Sequence, residues 1–286
     1  MGSSGGLSTT GRWTWLTIWL VVLAVTIAIV VIAQIANWHP WSTVSAARIT
    51  FYRREECEWV NLAGFFLQLM NFWSNFAYLA LGLLIVTHDS RFGQVIGATF
   101  LLLAFGSGWF HGTLSEWGQT FDIAGVYCGL LAIASYGFVE FFGFEHDTTA
   151  SKLLMIAAIA LGIVGALLRT QIHLFDSDVF TPILVVAVLI FGVALAFRIP
   201  HSKHELLWPG IWAVVSGLVA LWFKFSDGTD NLLAKHHGDY AQCSYQPQAL
   251  YQGHAIWHAL SAFMFLCMFE YFRSLGARSR PVFPWR

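Results

Sequence analysis

Three histidines stand where polar groups are disfavoured. Of the eleven in the chain, eight fall in polar connecting stretches, but His111 closes one apolar segment while His254 and His258 open another. Ionisable groups within apolar spans usually face a bundle interior or a cavity and mark functional sites. In Tyr251-Gln252-Gly253-His254-Ala255-Ile256-Trp257-His258 the two imidazoles are four residues apart. On a helix they share one face and can share a metal ion. Zinc takes neutral imidazole at about 2.0–2.1 Å, and its catalytic sites keep three protein ligands plus a water. His111, from a distant segment, offers the third nitrogen. Ser107 lies one helical turn before His111 on the same face, and Asp122 follows eleven residues after it. Each has a plainer reading. A histidine at a helix end can be an interfacial polar residue, Ser107 within Gly106-Ser107-Gly108 can serve close helix packing, and Asp122 can cap a helix.

The elements that must position these residues follow from composition. Hydrophobic residues make up 57% of the 286, and charged ones 11%, against about 25% in a soluble domain. So few charges cannot cover a water-facing surface of this size, and the bilayer must be part of the solvent. The reading is all-α, a polytopic membrane helix bundle. A spanning helix needs about 20 mostly apolar residues. Eight segments qualify, at 13–36, 64–87, 92–112, 121–143, 152–169, 179–198, 206–225 and 250–273. Residues 1–12 read as a flexible N-terminus. The first segment resembles a signal peptide only in part. Its apolar run exceeds the usual h-region of about 7–15 residues, and the Val44-Ser45-Ala46 site lies well beyond its end. The 14 tryptophans, several at the ends of apolar runs, suit an interfacial belt.

With eight spans, both termini share a side, and that side carries nine of the fifteen Lys and Arg residues. The bias places both termini, and the tail 274–286, in the cytoplasm. The third segment then runs outward and ends with His111. The fourth begins there, with Asp122 at its head, and the eighth begins there with His254 and His258. Three segments distant in sequence thus bring Ser107, His111, Asp122, His254 and His258 to one depth near the extracytoplasmic face. The formal net charge of −1, without a basic run, argues against nucleic acid as a partner. Membrane lipids are the partner implied, and no segment signals an obligate protein partner.

Ser107-Gly-Trp-Phe-His111, then Asp122, then His254-x-x-x-His258 in the last span resemble the alkaline ceramidases, seven-helix membrane hydrolases of the CREST superfamily. Cys57-Glu58 and Asn71-Phe-Trp-Ser74-Asn75 are similar to that family's N-terminal region. The resemblance covers 55–273 and makes 13–36 an extra transmembrane helix before a seven-helix core. It implies amide hydrolysis of ceramide, or a similar lipid amide, to a sphingoid base and a fatty acid. By that likeness His111, His254 and His258 hold zinc, Asp122 holds and deprotonates the attacking water, and Ser107 helps stabilise the oxyanion. The family's calcium site, aligned on Cys57, falls at Glu55 and Glu58, with Asn61 one residue out of register. A family glutamate is replaced by Gln68, which removes a carboxylate from that calcium set. A solvated Glu-Glu-Cys-Glu loop is the alternative. The likeness also pairs Cys57 with Cys243 in a disulfide between extracytoplasmic loops. Cys128 and Cys267 lie in spans and are expected to pack as small hydrophobes.

Progestin and adipoQ receptors share the Ser/Asp/His set, so a lipid sensor with the same metal site is the alternative function. A haem carrier could use the same histidines. A retinal protein needs a Schiff-base lysine, which the last segment lacks, and no matched pair of interrupted helices suggests a transporter.

Overall fold

The structure is a computed structural model that describes residues 9–41, 44–56, 58, 60–86, 91–146, 148–197, 207–226 and 252–275. Its described residues are all-helical, without a strand. Helix α1 is Thr9–Ile35, and a short helix α2, Ala46–Glu56, follows. The next span is broken at Asn75 into α3, Leu69–Ser74, and α4, Phe76–Val86. Then come α5, Arg91–Thr113, α6, Glu116–Phe142, and α7, Thr149–Leu168. A 3-10 turn at His173–Phe175 leads into α8, Ser177–Ala196, followed by α9, Trp208–Ser226, and α10, Gly253–Leu275.

Seven of the described helical segments are long and apolar enough to cross a membrane, which makes the chain a polytopic membrane helix bundle. The eighth expected span, 206–225, is α9, whose apolar stretch Trp208–Lys224 is shorter. At about 1.5 Å per residue it reaches about 25 Å, and Lys224 at its end has a stem long enough to snorkel.

Burial ranks the spans. In an 18-residue apolar stretch of α6, 72% of the residues are buried inside the protein, against 6% in the matching stretch of α1, so α6 is the central helix and α1 an outlying one. The main core joins α6 residues Tyr127 and Ile133 to Phe100 of α5 and to Phe269 and Phe272 of α10. Cys128 and Cys267 are buried free thiols in this interior, as expected of small hydrophobes. Helix α1 touches α4, where the Trp19 indole N–H donates to the Phe76 carbonyl at 3.0 Å.

A second, smaller core covers the end of the bundle where α5 finishes. Ile49 and Tyr52 of α2 pack there with Val60, Leu67, Phe110 and Leu114. The described residues of α2 and Val60, between the first two spans, thus form a packed cap. Arg48 of α2 fastens it, its Nε donating to the Leu114 carbonyl.

Helices α5 and α6 form a tight hairpin joined by only Leu114 and Ser115. Leu114 has φ +49°, a left-handed backbone that disfavours a branched residue by roughly 1–2 kcal/mol. Its side chain is wholly buried in the cap, and burying a leucine returns about 1.5–3 kcal/mol. Ser115 starts α6, its Oγ accepting from the Gly118 N–H at 3.1 Å. Along the hairpin the backbones nearly touch. A Cβ on Gly106 would lie 2.4 Å from the Phe121 carbonyl atoms, and one on Gly125 2.4 Å from Leu103 Cα.

Candidate metal centre

His111 lies in the last turn of α5, and His254 and His258 in the first two turns of α10. All three are buried, at 1%, 6% and 2% exposure, so bulk water cannot satisfy their ring nitrogens. The ring centroids form a triangle with sides of 5.1 Å (111–254), 5.0 Å (111–258) and 4.7 Å (254–258). One ring nitrogen from each lies within 4.8 Å of the others. Among the described residues, this is the group of His, Cys, Asp or Glu side chains gathered closely enough to hold a metal ion. Three imidazoles without a carboxylate or thiolate are a donor set that zinc accepts in catalytic sites.

The backbone around the triangle explains its placement. Helix α5 ends with carbonyls that lack intrahelical partners. The segment before α3 supplies donors to them, from Leu67 N–H to Gly112 O and from Gln68 N–H to His111 O, each at 3.0 Å. The Gln68 side chain turns back to the same residue, with Oε1 2.8 Å from His111 Nδ1. Ser74, at the end of α3, places its Oγ 2.7 Å from His258 Nδ1. Helix α3 is itself held by Glu58, whose carboxylate oxygens accept from Met70 N–H at 2.6 Å and Asn71 N–H at 3.1 Å.

Ser107 is 1% exposed, and its Oγ has no hydrogen-bond partner within the protein. A buried hydroxyl in that condition is disfavoured by about 1–3 kcal/mol, which suits a group kept for a ligand. Asp122 is not the cap of its helix. Ser115 is, and Asp122 lies in the second turn, half-buried. The Asp122 backbone N faces Gly106, which sets Asp122 at the level of Ser107. Tyr78 of α4 brings its ring centroid to 5.7 Å from that of His258. The close packing once offered as a role for Ser107 falls to Gly106.

Several neighbours were not assigned to the site from the sequence. Tyr78 and Ser261 join hydroxyl to hydroxyl at 2.5 Å beside His258. Lys224 Nζ sits 4.7 Å above the Trp257 ring, which packs 5.0 Å from His254 and 5.1 Å from His258. Ser74 carried a signal, since it lies in the Asn71–Asn75 stretch singled out for its likeness. Tyr78 and Lys224 had none.

The residues expected around calcium serve other ends where they are described. Glu58 is 3% exposed rather than solvated, and both its oxygens accept backbone N–H groups of α3. Asn61 Oδ1 accepts from Ala63 N–H at 3.2 Å. Gln68 is turned to His111. The side chain of Glu55 lies outside the described residues, as do Cys57 and Cys243 and therefore the expected disulfide.

Fold and site together define a polytopic all-α membrane protein with a buried three-histidine cluster suited to a metal ion. No family model matches the chain, and no curated protein does.

Proposed function

We propose that this chain is a zinc-dependent intramembrane hydrolase of the alkaline ceramidase kind, cleaving ceramide or a similar lipid amide to a sphingoid base and a fatty acid. The observation that carries the reading is the buried triangle of His111, His254 and His258 beside the unpartnered Ser107 hydroxyl. Zinc bound there supplies a Lewis acid that polarises an acyl carbonyl and activates water near neutral pH. Asp122 takes the proton of the attacking water and can deliver it to the leaving amine. Ser107 Oγ–H donates to the oxygen on which negative charge develops, the role in which a single donor is worth about 10²–10³ in rate.

A lipid substrate is supported by an apolar groove of about 330 Å³ between α8 and α9. Gly192, Val193, Gly210 and Ile211 line it, with Met268 and Tyr271 of α10. Val193 and Ile211 are about half exposed, so the groove opens toward lipid. Met268 lies ten residues beyond His258 on α10, about 15 Å along the helix, a separation that an acyl chain can span. In the orientation read from the basic residues, the histidines lie near the extracytoplasmic face and the termini in the cytoplasm.

The test is Asp122→Asn, which keeps size and removes the base. The variant should retain zinc yet release fatty acid from ceramide a hundredfold or more slowly, on the order expected for loss of a general base. Zinc-loaded wild type that releases no fatty acid from any lipid amide would overturn the hydrolase reading in favour of a lipid sensor.

A further inference from the structure

We propose that Gln68 and Ser74 are positioning residues that lock His111 and His258 as Nδ1–H tautomers, so that both present an Nε2 lone pair to the same ion. The inference rests on the metal reading above and extends it to groups that touch neither metal nor substrate. A neutral imidazole has one N–H, and the nitrogen left without it is the donor to a metal; the choice is set by what the other nitrogen is bonded to.

At His258 the choice follows from counting protons. Ser74 Oγ has two neighbours, the Asn71 carbonyl at 2.8 Å and His258 Nδ1 at 2.7 Å. The carbonyl can only accept, so it takes the single hydroxyl proton. The hydroxyl oxygen then accepts from His258, and the proton there must lie on Nδ1. At His111, Nδ1 faces the Gln68 amide oxygen at 2.8 Å. An amide oxygen also only accepts, so Nδ1 again carries the proton. In both rings the unprotonated nitrogen is then Nε2, which carries the lone pair.

Neither partner is free to drift. Gln68 holds His111 at two points, since its N–H also donates to the His111 carbonyl. Ser74 is tied to Asn71 O, and Asn71 N–H is held by Glu58. Both partners come from residues 68–74 and neither carries a charge, so they orient the rings without the extra ligand basicity that a carboxylate would add.

The experiment measures zinc binding alone, by competition with a chromogenic chelator, in purified full-length protein. Gln68→Ala and Ser74→Ala should each weaken zinc by about 10–100-fold, the effect typical of losing such an orienting partner. Gln68→Glu and Ser74→Thr keep an acceptor at Nδ1 and should restore binding to near the wild-type value. A purely structural role would not show this rescue by the acceptor-retaining variants. Nitrogen-15 spectra of histidine-labelled, zinc-bound wild type provide a measurement that needs no variant, and should show His111 and His258 protonated at Nδ1. Wild-type affinity in both alanine variants, or protonation at Nε2 in either ring, overturns the positioning role and leaves the metal reading intact. A wild type that takes up no zinc overturns both.

Discussion

Replacing Gly106 by alanine inserts a methyl group where two helix backbones meet. The new Cβ would lie 2.4 Å from the Phe121 C and O atoms and 2.7 Å from Asp122 N. Since ordinary contact begins near 3.4 Å, α5 and α6 must part by about 1 Å, because packed backbone cannot swing aside as a side-chain tip can. Overpacking of this kind destabilises by about 1–3 kcal/mol, against a gain of about 1 kcal/mol in helix propensity. Gly108, two residues along the same helix, is the control. A Cβ there meets nothing closer than Phe72 Cε2 at 3.7 Å, so Gly108→Ala keeps the propensity gain without a clash. Thermal unfolding in nanodiscs should place Gly106→Ala below Gly108→Ala in midpoint. The forced separation falls at the level of Ser107 and Asp122, and a misplacement of about 1 Å can slow a reaction about a hundredfold. For the hydrolase proposed above, fatty-acid release from ceramide should therefore drop about that far in Gly106→Ala and little in Gly108→Ala. Equal midpoints and equal turnover in the two variants would refute the reasoning.

Three further outcomes are expected. His258→Ala, measured by elemental analysis of chelator-free protein, should lose most of the roughly one zinc per chain expected of the wild type; full retention removes this residue from the ligand set. Glu58→Ala leaves the Met70 and Asn71 N–H groups without their carboxylate, and denaturation should show a loss of about 1–3 kcal/mol or more; unchanged stability would show that α3 needs no such anchor. Peptide mapping under non-reducing conditions should recover a Cys57–Cys243 fragment from protein made in an oxidising compartment, and two free thiols there would reject the bridge.

The histidine triangle was legible in the sequence because two regularities converge on it. The four-residue spacing of His254 and His258 fixes a shared helix face, and the alternation of spans fixes their depth beside His111. The break in the second span was not legible. Its apolar composition reads as one helix from 64 to 87, yet Ser74 Oγ and Asn75 Nδ2 both donate to the Asn71 carbonyl. Short polar side chains that bond nearby backbone compete with helical hydrogen bonds, and hydropathy does not register that competition. The cap over the bundle was hidden for another reason. Helix α2 is polar on average, and its described side chains offer Ile49 and Tyr52 to the small core, too few to show a period. Gln68 was visible only as a residue missing from a calcium set; its actual partner, His111, lies 43 positions away, and nothing local connects the two.

The junction between α3 and α10 has a consequence for how the protein is made. His254 and His258 belong to residues that leave the ribosome after α5 and α6 have been synthesised, while His111 waits in a hairpin already able to form. His258 meets Ser74 of α3 across 184 positions, so this contact forms only when α10 docks against elements inserted much earlier. The complete nitrogen cluster therefore cannot exist on a nascent chain lacking residues 253–275. Uptake of an ion by all three histidines would mark the end of assembly rather than guide its beginning, and a stalled or truncated chain would leave His111 alone at the end of α5.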